Sequence, residues 1–178
     1  MRALPILLPT VLALAAPIAA QTAHNSNAPI DFGADTIELQ DKANRAVLTG
    51  NVSVRQAEMT LNAARMTVFY TGQVIGGNPQ VSRLDASGGV TVKRPDQTAK
   101  AQYAIYDLNR RVITMLGAVT LTQGGNTVNG GRLTINLDTG RAVIDGSSVR
   151  GSAGAPGSTT STAPSGRVTG TFSVPKRN

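Results

Sequence analysis

The chain has 178 residues with no cysteine, one histidine, three tyrosines, three phenylalanines and no tryptophan. That excludes a disulfide-stapled scaffold, a thiol nucleophile and a Cys/His zinc centre. Lys and Arg number 17 against 10 Asp and Glu, a formal net charge of +7 at pH 7 that favours anionic partners.

Residues 1–20 begin with Arg2, continue as an apolar run from Ala3, and end Pro17-Ile18-Ala19-Ala20. This pattern reads as a secretory signal peptide with cleavage after Ala20. Pro5, Pro9 and Pro17 interrupt the run, which argues against an uncleaved anchor. The protein is therefore expected to be exported and, in a double-membrane bacterium, periplasmic. Residues 21–28 are polar and read as a flexible N-terminal segment. They hold His24, the one histidine, with no second His or Cys to complete a metal site.

From residue 29 to 150 the chain carries a repeat. Gly50, Gly88, Gly117 and Gly146 are spaced 38, 29 and 29 residues apart, the first step being 29 with a nine-residue insertion. Two and four residues after the first three glycines come Val52/Val54, Val90/Val92 and Val119/Leu121. Sixteen to twenty residues after them come Met66/Val68/Tyr70, Ala104/Tyr106/Leu108 and Leu133/Ile135/Leu137. A half-copy precedes the first, since Ala34, Ile37 and Leu39 lie 29 residues before Ala63, Met66 and Val68. Apolar residues two apart share one face of a strand, and a fixed period lets each unit cover its neighbour.

The apolar parity changes twice within a unit. The change before Met59/Leu61 requires a hairpin turn, as Gly124-Gly125-Asn126 supplies in the third copy. The second falls at Ala63-Ala64, Ala101-Gln102 and Gly130-Gly131, where small residues suit a bulge that bends a strand around a corner. Asn109-Arg110 and Asp138-Thr139-Gly140 then turn the chain into the next copy. The pattern predicts an all-β antiparallel meander of stacked bent-strand modules, with no helical period between them.

Residues 151–166, rich in Gly, Ser, Thr, Ala and Pro, read as a low-complexity linker. Residues 167–175 alternate again up to Pro175 and read either as a final edge strand or as part of a disordered end. Residues 176–178 form a basic tail. Arg55, Lys93, Arg132 and Arg141 fall at outward positions. They suit a solvated face or attraction to an anionic headgroup. Nucleic acid is excluded as a partner by export and by the absence of aromatics interleaved with the basic residues.

The chemistry of catalysis is missing. The carboxylates are scattered: Asp41, Asp107 and Asp138 beside turns, Asp85 and Asp145 just before a repeat glycine, and Glu58 in a hairpin turn. No pair forms a general acid–base site, no phosphate-binding glycine motif is present, and no cofactor or metal is expected. The apolar face admits three readings: a lipid carrier, a ligand-free exported repeat scaffold, or a periplasmic carbohydrate-binding or enzymatic domain. Parity alone does not distinguish a groove from a packed core.

The stretch Ala28-Pro29-Ile30-Asp31-Phe32, then Asp35 to Leu39, Leu48-Thr49-Gly50-Asn51-Val52-Ser53-Val54-Arg55-Gln56 and Leu61-Asn62-Ala63, resembles the OstA-like (LptA-type) family. The resemblance runs from about Pro29 to Gly146 and resumes at Arg167 to Pro175. It implies a β-jelly roll of stacked short antiparallel strands, open at both ends and V-shaped in section. It implies a non-enzymatic bridge that assembles head to tail. Acyl chains of lipopolysaccharide, or of a similar glycolipid, would pass along it between inner- and outer-membrane transport components with related rolls. The family's substrate-facing positions fall on Ile30 and Phe32 near the first edge and on Tyr106 and Leu108 in the middle. With the inward positions of the repeat, the expected groove comprises Ile30, Phe32, Ile37, Leu39, Val52, Val54, Leu61, Met66, Val68, Tyr106, Leu108, Leu133 and Ile135. Two departures stand out. Gly33 replaces the family's acidic residue after the first strand, and the Gly151–Gly166 stretch is longer than usual.

Overall fold

The computed structural model describes residues 24–72, 77–146 and 168–171. The expected signal peptide (1–20), the expected linker (151–166) and the basic tail (176–178) lie outside the described residues.

Six long strands carry the fold: β3 (Arg45–Gln56), β4 (Met59–Thr71), β5 (Gln80–Arg94), β6 (Gln97–Asp107), β7 (Val112–Gln123) and β8 (Asn126–Asn136). Each pairs antiparallel with the next in sequence. Three hairpins along one rim turn in two residues, Ala57-Glu58, Pro95-Asp96 and Gly124-Gly125. The glycine pair has φ of 53° and 84°, the left-handed conformation that such tight turns require. Along the other rim the connections are longer, and the insertion in the first repeat is shared between the connection from β4 to β5 and the greater length of those two strands.

The bends expected at the small-residue pairs are present. Each long strand runs through a bend, and the bend has two sides. On β3, β5 and β7 lie the pairs Gly50-Asn51, Gly88-Gly89 and Gly117-Ala118, all with positive φ. Facing them are the small residues foreseen at the second parity change. Between Thr49↔Arg65 and Val52↔Ala63 the register gains one residue on β3, a β-bulge that recurs at Ser87/Val90 and Leu116/Val119. The repeat glycine is thus needed for close approach as well as for backbone conformation. A Cβ on Gly88 would lie 2.7 Å from that of Ala64.

Each end of the sheet is a broken strand. At the first end β1 (Ile30–Gly33) pairs with the second half of β3, and β2 (Thr36–Gln40) pairs with its first half. At the last end β9 (Ala142–Asp145) and β10 (Thr169–Thr171) pair with the two halves of β8. Among the described residues the sheet does not close on itself, and both ends are edges. The last edge is shared by β9 and by β10, which lies within the segment 167–175 read as a possible edge strand. The fold is all-β, an open antiparallel jelly roll, as expected.

Candidate functional site

The register aligns the inner apolar residues into rows that cross the whole sheet. One row reads Leu39, Ala46, Val68, Leu84, Tyr106, Ile113, Ile135, Ala142. A second contains Ile37, Leu48, Met66 and Leu133, and a third contains Phe32, Val54, Leu61 and Leu121. Every residue expected in the groove from Val52 to Ile135 except Leu108 is buried. Val52, Val54, Leu61, Met66, Leu133 and Ile135 sit in one continuous buried core.

The first edge differs. Phe32, Ile37 and Leu39 belong to the same rows but are 38%, 52% and 53% exposed. With Ile30, Val68 and Leu108 they line a cleft of about 650 Å³. That is within the range of small-molecule and lipid sites. Among the described residues no further strand covers these side chains, and the interior emerges there.

One wall of the cleft is polar. Gln56 follows Val52 and Val54 at the inward parity and is 2% exposed. A buried amide needs partners. Its Nε2 donates to the carbonyls of Ser26 (3.0 Å) and Ala28 (3.1 Å). Its Oε1 accepts from Tyr106 Oη at 2.7 Å and lies 3.2 Å from His24 Nε2. Because that oxygen can only accept, the contact selects the Nε2-protonated histidine. Burial pushes the Tyr106 hydroxyl up to about 12, so it remains a neutral donor. Burial also lowers the His24 pKa, with Arg94 acting in the same sense and the Gln56 contact and Glu58 opposing.

His24 therefore sits in a hydrogen-bonded segment, where the sequence suggested a flexible one. Gln56 and residues 26–28 were not anticipated as site residues. The signal available was a polar residue at an inward parity. On the outer surface Arg55, Lys93 and Arg141 are exposed as expected. Arg132 is half-buried, and its Nε has no hydrogen-bond partner among the described residues. Among the described residues no group of three His, Asp or Glu could hold a metal ion. No described helix is long and apolar enough to cross a membrane.

Comparisons with known proteins agree with this architecture. Residues 32–141, nearly all of β1 through β8, match the family described as LptA/(LptD N-terminal domain) LPS transport protein. An uncharacterized protein of Rhizobium meliloti (strain 1021) is 35% identical over 125 residues, which cover 68% of this chain and 67% of that protein. The fold is similar to LptH from Pseudomonas aeruginosa, described as the LptA-homologous periplasmic component of the lipopolysaccharide transport device. The TM-score is 0.66 at 20% identity, over 84% of this chain and 99% of LptH. The bent-strand repeat, the open roll and the family match together place this chain in the LptA/LptD N-terminal domain family of lipopolysaccharide transport proteins.

Proposed function

We propose that this protein is a non-enzymatic periplasmic carrier and bridge. It holds acyl chains of lipopolysaccharide, or of a similar glycolipid, against the inner face of the roll. It passes them from inner-membrane to outer-membrane transport components. The observation that carries this reading is the emergence of the interior rows at the first edge, where Phe32, Ile37 and Leu39 leave an apolar cleft open. Burying an acyl chain of about a dozen carbons is worth up to ~10 kcal/mol at ~0.8 kcal/mol per CH₂.

Assembly is the second half of the proposal. Unpaired strand edges recruit strands, and this roll has one at each end. The β1/β2 edge of one copy would add to the β9/β10 edge of the next, head to tail. A related roll in a membrane component would cap either end in the same way. Neither edge carries a row of lysines to block pairing.

The test is direct. Purified protein should bind fluorescein-labelled lipopolysaccharide without nucleotide and should show no ATPase activity. A protein that binds no lipid yet still forms filaments would support the scaffold reading. ATP hydrolysis by the pure protein would end the carrier reading.

A further inference from the structure

We propose that residues 24–28 are a removable strap across the side of the roll, and that acyl chains load sideways into the cleft by displacing it. This inference rests on the carrier reading.

The two rims meet beneath this segment. Gln56 ends β3 at one rim, whereas Tyr106 stands near the end of β6 at the other. Three steps separate the two strands in the sheet, yet the side chains bond at 2.7 Å. The bent sheet is therefore drawn together along a seam, and residues 24–28 cross it. On one side they are tied to Gln56 through His24 and the carbonyls of Ser26 and Ala28. On the other, Arg111 Nη2, in the β6–β7 turn, donates to Asn27 Oδ1 at 2.9 Å.

The attachment is of a kind that releases. The segment belongs to no strand, and its own backbone bonds are two short turns, Ser26 N to His24 O and Ala28 N to Asn25 O. No ladder of main-chain bonds must break to lift it. Ala28 is its one apolar side chain, so little hydrophobic burial holds it. Ser26 Oγ is buried beside Tyr106, whose ionised form it favours, and meets no partner at full hydrogen-bond geometry among the described residues.

The position matters as much as the attachment. Ser26, Asn27 and Ala28 form a polar wall of a cleft whose other walls are Phe32, Leu39, Val68 and Leu108. An acyl chain in their place would pair apolar surface with apolar surface. The freed carbonyls and Asn27 amide would return to water, where they are satisfied. The Tyr106–Gln56 bond would remain and keep the seam drawn together while the strap is away.

The experiment uses the purified protein and fluorescein-labelled lipopolysaccharide, with loading and release followed by stopped flow. Two variants are compared: Arg111→Ala and a deletion of residues 24–28. Circular dichroism selects those that keep the native sheet. Arg111→Ala alters an exposed side chain and keeps the test available if the deletion unfolds. Each folded variant should load roughly tenfold faster, the factor expected from losing one or two net hydrogen bonds, and bind correspondingly tighter, because the strap no longer competes for the cleft. Unchanged rates would overturn the strap. Faster release with unchanged loading would make the segment part of the binding surface and would overturn it as well. If the native protein binds no lipopolysaccharide, the carrier reading itself fails and the strap fails with it. Lipid bound at equal rates by all forms removes the strap alone.

Discussion

Leu39 and Ile135 lie on one inner row of one sheet, and they meet different fates. Leu39, in β2, is 53% exposed; Ile135, in β8, is 1% exposed. Their parity and chemistry are alike. Ile135 is flanked by Ile113 on one side and by β9 on the other, within a roll whose halves fold over each other. Leu39 has Ala46 on one side and no strand on the other. Alternation assigns a side chain to a face, and strand order decides whether that face is covered. In this protein the middle of the roll is a buried core, and at the first edge the same rows are exposed.

Charge insertion should separate the two regions most sharply. Ile135→Asp places a carboxylate in a filled interior and should cost several kcal/mol, enough to abolish a marginally stable fold. Leu39→Asp should leave the thermal midpoint within a few degrees while abolishing capture of labelled lipopolysaccharide. Loss of the sheet signal in both variants would mean that the first edge is core after all.

A smaller effect should appear at the corners, which define the packed region. Gly88 and Gly89 both have positive φ, so alanine at either is strained by about 1–2 kcal/mol. Only at Gly88 would the new Cβ also strike Ala64. That overpacking should add about 1–3 kcal/mol. Thermal unfolding should therefore rank Gly88→Ala well below Gly89→Ala, and equal midpoints would show that the corner tolerates widening.

The two edges can be compared by removing part of one. Deletion of Val168 to Asn178 takes away β10 and exposes the first half of β8. Head-to-tail assembly, followed by light scattering, should change or stop while the circular-dichroism sheet signal stays nearly intact. Unaffected filaments would assign the junction to β9.

The smallest effect concerns acidity. The His24 pKa is lowered in the closed strap, first by burial, with Arg94 lowering it and the Gln56 bond and Glu58 raising it. The neutral ring is favoured when the strap is down. Closure is therefore fully supported above the ordinary value of 6.5 and weakens as pH falls below it through the lowered value. Hydrogen exchange at Ser26 and Ala28, corrected for its intrinsic pH dependence, should lose protection in that window. Retained protection in His24→Gln would tie the loss to the imidazole.

Much of this fold was legible because its signals are local and repeated. Residue pairs such as Val52/Val54 and Leu133/Ile135 announced the inner face, and Ala63-Ala64 announced the corner. The role of the repeat glycines opposite those pairs was not legible, because it depends on a Cβ–Cβ approach between Gly88 and Ala64 on neighbouring strands. The site was legible in part. Phe32, Ile37 and Leu39 were placed on the apolar face, but their exposure follows from having no strand beyond them. Gln56 was missed because its partners at His24, Ser26, Ala28 and Tyr106 are 28 to 50 residues away and follow no period.

Photo-crosslinking in living cells tests the central claim most directly. A crosslinker at Ile37 or Leu39 should capture lipopolysaccharide or a similar glycolipid, whereas one at Glu38, the outward residue between them, should not. Capture from Glu38 equal to that from Leu39, or no lipid attached to Ile37 and Leu39 at all, would contradict the assignment of this edge as the place where the roll takes its cargo.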